Sequence, residues 1–166
     1  RGNAHFKDSA RDIHGEEIRY DSRSKNYQLL GRGRVIDGSN IITADSLDFN
    51  DALGNGLAIG SVEWVDTTNN ITVLSHRMDY NKRSDYIYAY GGFETGSSGR
   101  PMMKSLVDRD TLFMAADTLT SFKPDSASDT RLLLAFHDVR IFKSDLQAVC
   151  DSLKFSSADS IFWFYK

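Results

Sequence analysis

The sequence predicts an all-β chain of antiparallel strands assembled from about five short repeats. Three observations carry this reading. Apolar and polar residues alternate over most of the chain, with many Tyr, Phe, Ile and Thr and only two prolines among 166 residues, the composition of strands. Clusters of Gly, Asn and Asp punctuate the alternation, and these residues tolerate the positive φ of tight turns. One patterned segment, Ile41 to Phe49, returns along the chain in variant form, as in repeat architectures.

In chain order the units are Glu16-Glu17-Ile18-Arg19-Tyr20, Ala44-Asp45-Ser46-Leu47-Asp48-Phe49, Ser75-His76-Arg77-Met78-Asp79-Tyr80, Ala115-Ala116-Asp117-Thr118-Leu119 and Val149-Cys150-Asp151-Ser152-Leu153-Lys154-Phe155. Their first polar residues stand at 16, 45, 76, 117 and 151, a spacing of about 30 to 40 residues. Ahead of most copies a glycine precedes an apolar residue by two: Gly33 and Val35, Gly60 and Val62, Gly91 and Phe93. In the last unit His137 takes the glycine's place before Val139. Around Gly60 the alternation changes phase, with Leu57 and Ile59 apolar before it and Val62 and Trp64 after it. A phase change at glycine marks a bulge or a sheet corner. Each unit therefore reads as two or three strands with a bend between them.

Turns are expected at Asp37-Gly38-Ser39-Asn40, Asn55-Gly56, Asp66 to Asn70, Asn81 to Asp85 and Ser156 to Asp159. The connection from Glu94 to about Asp110 is much longer and holds Gly96-Ser97-Ser98-Gly99-Arg100-Pro101, the length of a mobile or functional loop. Asp145 to Leu153 can be drawn as a short amphipathic helix, but its match to the Asp45 unit favours a strand. Strict alternation places Thr43, Asp45, Leu47 and Phe49 on one face, with Ala44, Ser46 and Asp48 on the other. The same phase groups His76 with Met78 and Tyr80, and Val149 with Asp151, Leu153 and Phe155. Stacked copies would align Glu16, Asp45, His76, Asp117 and Asp151 in a column. That column reads either as the polar rim of an apolar groove or, preferably, as residues marking where strands leave the core.

Composition and motifs exclude several classes. A net charge of -3 with scattered Arg32, Arg34 and Arg140 leaves no nucleic-acid footprint and no polybasic membrane surface. No apolar run approaches the roughly 18 residues of a spanning helix. The abrupt start at Arg1 and the apolar end at Ile161 to Tyr165 suggest a single domain over residues 1–166 taken from a longer chain. Lone Cys150 precludes an intramolecular disulfide. His5, His14, His76 and His137 show no metal-ligand spacing, so no metal and no cofactor are expected. Gly96 to Gly99 is not a nucleophile elbow, Gly31-Arg32-Gly33 begins no dinucleotide fingerprint, and Asp48 to Asp51 lacks the glycine and glutamate of a calcium loop. No catalytic residue is proposed, and the chain is not expected to be an enzyme. The alternating tyrosines Tyr86, Tyr88 and Tyr90, like Trp163 to Tyr165, read as cross-strand packing rather than a stacking platform.

Gly60-Ser61-Val62 before a short turn, and the strand Ala44-Asp45-Ser46-Leu47-x-Phe49-Asn50, resemble the repeat of OstA-like proteins, the group of the LptA, LptC and LptD periplasmic domains of lipopolysaccharide transport. The resemblance runs from about Gly2 to Tyr165. It implies a twisted, open β-jellyroll of antiparallel strands in the periplasm, including association with the outer membrane. The implied ligand is lipopolysaccharide or a similar lipid, with acyl chains in an apolar interior. The implied partners are other OstA-like domains, or a second copy of this chain, docked end to end through edge strands. Interior candidates are Val35, Leu47, Phe49, Ile59, Val62, Trp64, Met78, Tyr80, Leu119, Val139, Leu153 and Phe155; for each, simple core filling is the competing role. The long connection after Phe93 departs from the family pattern. Other classes stay open: a surface adhesin or carbohydrate-binding module would expose the Tyr86 to Tyr90 rings, and a structural β-spacer would have a filled interior.

Overall fold

Bent strands dominate the computed structural model, which describes residues 3–107, 109–125, 130–159 and 161–166. Gly2, at the start of the family resemblance, and Asp108, within the long connection, lie outside the described residues. The strands are β1 (Ala4–Lys7), β2 (Arg11–Gly15), β3 (Glu17–Asp21), β4 (Asn26–Asp37), β5 (Asn40–Asn50), β6 (Asn55–Asp66), β7 (Ile71–Asn81), β8 (Tyr86–Tyr90), β9 (Met102–Val107), β10 (Asp110–Ala115), β11 (Thr118–Phe122), β12 (Leu132–Lys143), β13 (Leu146–Ser156) and β14 (Ile161–Tyr165). Among the described residues the strands pair antiparallel and join one continuous sheet.

Each long strand changes register near its middle. In the β4–β5, β6–β7 and β12–β13 pairs the shift falls between Leu30 and Gly33, Ile59 and Val62, and Phe136 and Val139. Two residues there oppose one: Gly31-Arg32 faces Asp45, Gly60-Ser61 faces His76, and His137-Asp138 faces Asp151. Bulges of this kind bend a strand, and repeated side by side they fold the sheet into two facing layers. One layer takes the 26–30, 46–50, 55–59, 77–81 and 152–156 segments, and the other takes 33–37, 40–43, 62–66, 71–75 and 139–143. The backbone at the bends is left-handed, with φ of 79° at Gly60, 72° at Gly91 and 64° at His137. His137 therefore occupies the glycine position, as its place in the repeat predicts.

Three bent strands are interrupted. β7 pairs with β8 through Arg77–Asn81 and with β9 through Ile71–Leu74, so β8 and β9 are the two arms of one bent strand. The same holds for β10 and β11, both paired with β12, and for β2 and β3, both paired with β4. The expected long loop from Glu94 to Asp110 is corrected accordingly. Residues 102–107 are strand, and the departure from the repeat is an excursion at the corner between the arms, pinched by a Gly92–Gly96 bridge. The stretch after Asp145 is strand β13, not helix.

The bulges also correct the expected faces. In β5, Ile42 and Ala44 are buried, Asp45 is exposed, and Leu47 and Phe49 are buried. Thr43 consequently shares no face with Leu47, because the phase changes at Asp45. His76 is separated from Met78 in the same way, with Ser75 buried instead. In β13, Ala148 and Cys150 pack against the core while Val149 is 76% exposed.

Candidate functional site

Between the layers the inward side chains form the core. Of the interior candidates, Val35, Leu47, Phe49, Val62, Trp64, Met78, Leu119, Val139 and Leu153 are buried, and Tyr80 and Phe155 pack against them. Ile59 is the exception: its neighbour Ala58 is buried and Ile59 does not join the core cluster. Even positions point inward on both sides of Gly60, with Ala58, Val62 and Trp64 all buried, so the phase change expected in β6 does not occur and Ile59 faces outward.

The core is not filled throughout. A cavity of about 350 Å³ lies between Val35, Ile42 and Trp64 on one layer and Phe49, Tyr80 and Ile87 on the other. Tyr80 lies flat over its cross-strand partner Gly56, where a β-carbon would come within 2.2 Å of the ring. Burial pushes the Tyr80 hydroxyl well above the usual tyrosine range, so it stays neutral. Further along, a cavity of only about 30 Å³ remains among Val73, Met103, Leu112, Leu133, Phe155 and Phe162.

Arg131 stands between the two spaces. Its side chain is 3% exposed, lines the smaller cavity and sits 5.3 Å over the Trp64 ring. Its Nη2 lies 2.7 Å from Asp85 and its Nε 3.5 Å from Asp66, while Nη1 donates to Ser121 Oγ at 3.1 Å. Asp66 is itself held by the Thr68 and Asn69 N–H groups.

The layers are joined at the bends, and their free lips meet on the opposite side. There a row of ion pairs crosses from lip to lip. Arg11 reaches Asp51 at 2.8 Å, Lys82 reaches Asp37 at 2.6 Å, and Arg131 joins Asp85 to Asp66. Arg11 is 8% exposed and stacks over Tyr27 and Phe49. Burial works against its charge, and Asp8 and Asp51 more than offset that. Lys82, Arg83 and Lys123, with Asp37, Asp51 and Asp85, complete a charged rim around the larger cavity, and Lys123 pairs with Asp85 at 3.4 Å. Position alone gave no signal for this rim, because its members lie in turns whose partners are two units away.

The aligned column lies elsewhere. Glu16, Asp45, Asp117 and Asp151 are exposed at the bends and His76 is half-buried, so they border the closed edge and not the mouth of the interior. Space explains their recurrence. A β-carbon on Gly31, Gly60 or Gly91 would come within 3 Å of Glu16, Asp45 or His76 respectively. Asp45 also accepts from Arg32 at 2.9 Å, and Arg100, from the corner excursion, pairs with Asp117 and Asp138.

On the outer face of the β1–β2 hairpin a second polar cluster appears. Register pairs His5 with His14 and Lys7 with Asp12. The two imidazoles stack at 4.2 Å, and each Nε2 lies against the same Asp12 oxygen, at 2.8 and 2.7 Å. The histidine spacing in sequence concealed this group, because only the hairpin register brings the residues together.

No family model and no curated protein matches the sequence. A solved structure does match. The fold resembles that of LptH. Its crystal structure, described as the LptA homologous periplasmic component of the conserved lipopolysaccharide transport device from Pseudomonas aeruginosa, superposes with a TM-score of 0.59 at 10% identity. The match covers 75% of this chain and 80% of LptH. The all-β, antiparallel architecture expected from the repeat, and the β-jellyroll that the resemblance implies, are thus the fold observed, and at this identity the likeness to LptH bears on the fold.

Proposed function

We propose that this chain is a non-enzymatic periplasmic domain that shields the acyl chains of lipopolysaccharide, or a similar lipid, between its two layers. The observation that carries the reading is the apolar cavity opening onto a rim of paired charges, in which Arg11, Lys82, Arg83 and Lys123 outnumber Asp37, Asp51 and Asp85. Apolar walls at Phe49, Trp64 and Ile87 suit acyl chains, each buried CH₂ contributing about 0.8 kcal/mol. Arg11, Lys82, Arg83 and Lys123 at the lips suit the anionic head of such a lipid. At about 350 Å³ the cavity is near the lower end of ligand pockets, about 300–1,000 Å³. A lipid with several chains would therefore part the lips, where the partly exposed Lys82–Asp37 pair is weak enough to yield.

The reading extends to partners. β1 and β3 border one end of the sheet and β14 with the 146–150 arm of β13 borders the other. Unpaired edges of this kind accept a further strand, from another OstA-like domain or a second copy of this chain. The nearly filled interior beyond Arg131 is what a structural spacer would have, which confines the carrier role to the Phe49 side.

A photo-crosslinking residue at Phe49 or Ile87, with lipopolysaccharide added, tests the proposal. Labelling there and not at Asp48, on the opposite face, is expected. Equal labelling on both faces, or none with the fold intact, would replace the carrier by the spacer or adhesin.

A further inference from the structure

We propose that His5, Asp12 and His14 form a binding site for a divalent transition-metal ion of the zinc class on the outer face of the N-terminal hairpin. One ligand atom from each residue lies within 4.8 Å of the other two. Both imidazole Nε2 atoms converge on a single carboxylate oxygen, Asp12 Oδ1, at 2.8 and 2.7 Å. Two histidines and one carboxylate are a donor set that zinc, nickel and copper favour over calcium or magnesium.

The hairpin holds this arrangement in place. Asp8 Oδ1 accepts from the Ala10 and Arg11 N–H groups at 2.8 Å each, closing the turn that sets the β1–β2 register. That register puts His5 directly opposite His14, and their rings are parallel to within 10°. In tetrahedral coordination at about 2.0 Å the donors stand about 3.3 Å apart, so small side-chain rotations suffice to seat the ion. His5 and His14 are about half exposed. Water can therefore fill the remaining positions, and the hydrogen bonds displaced are weak surface ones. Lys7 Nζ lies 3.1 Å from the other oxygen, Asp12 Oδ2. It leaves Oδ1 free for the metal but opposes the cation by its charge.

The site is independent of the lipid-carrying reading, since it lies on the outer face and shares no residue with the cavity. Its test is titration of the chelator-treated full chain with Zn²⁺ by calorimetry, and with Co²⁺ by visible absorption. One ion per chain is expected, with a loss of at least about tenfold in affinity in His14→Ala and in Asp12→Asn. Lys7→Met is expected to bind several-fold more tightly. The double variant His76→Gln/His137→Gln is expected to bind as the parent does, and circular dichroism checks each fold. Zinc affinity unchanged in His14→Ala and Asp12→Asn, or lost in the His76/His137 variant, would overturn the site. So would imidazole NMR signals of His5 and His14 that stay unmoved by zinc.

Discussion

The Asp45 carboxylate occupies the space that a side chain on Gly60 would need: a β-carbon there would lie 2.5 Å from Oδ2 and 2.9 Å from the Asp45 Cβ. Gly60 also has a φ of 79°, so both room and backbone conformation demand glycine. Gly60→Ala is therefore expected to destabilise the fold by at least about 1–2 kcal/mol, the usual cost of a left-handed L-residue. Urea unfolding measures it, and a neutral result would remove the steric account of the repeat.

The converse applies at His137, which holds a φ of 64° without being glycine. Its contact with Asp151, at 3.7 Å, is exposed and contributes little. His137→Gly is expected to be neutral or stabilising by up to about 1 kcal/mol, relief of strain competing with the greater freedom of the unfolded chain. A loss above about 1 kcal/mol in the same urea experiment would show that the two bends are not equivalent.

Arg131 is buried between Asp66 and Asp85. Arg131→Met strands carboxylates in a low-dielectric setting, and breaking such a group costs about 3–5 kcal/mol. The lower end is expected, because Asp66 keeps its hydrogen bonds from Thr68 and Asn69. Thermal and urea unfolding report the loss. A change below about 1 kcal/mol would mean the charges are solvated and do not partition the interior.

At the corner, hydrogen bonds from Arg100, and then from Arg140, hold the Asp138 carboxyl below its ordinary range. A folded value below the unfolded one, about 4, contributes stability that is present above about pH 4 and lost as the pH falls through the lowered folded value. Arg100→Gln should consequently differ most from the parent near pH 6 and converge with it as the pH falls below about 4. Melting temperatures across that range check this, and a gap that stays constant would exclude the linkage.

The lip ion pair Asp37–Lys82 joins partly exposed groups, whereas the Arg11 guanidinium that pairs with Asp51 is buried. Asp37→Asn is expected to change stability by less than about 1 kcal/mol while raising the uptake of a fluorescent fatty acid into the cavity. Unaltered uptake would mean that the lips do not limit entry.

Much of the fold was legible before any coordinates. The repeat around Asp45, the bend expected at Gly60 and the substitution of His137 for glycine each correspond to an observed bend. The misplacements have two opposite causes. Thr43 and Val149 follow from strict alternation, although the phase of β5 reverses at Asp45 and that of β13 at Asp151. Ile59 follows from a phase change read at Gly60, although β6 keeps one phase through Ala58, Val62 and Trp64. Met102 to Val107 does not read as strand from sequence, because the glycine-rich segment before it obscures the arm that follows the corner.

The sequence by itself determined where strands run, where they bend and which repeat positions must accommodate left-handed backbone, because these depend on side-chain period and local sterics. Only the tertiary structure decided which distant groups meet. Arg131 finds Asp66 and Asp85 across the layers, and His5 finds His14 across a hairpin, through register and bulge phase. Those depend on the summed pairing of many strands and leave no local trace.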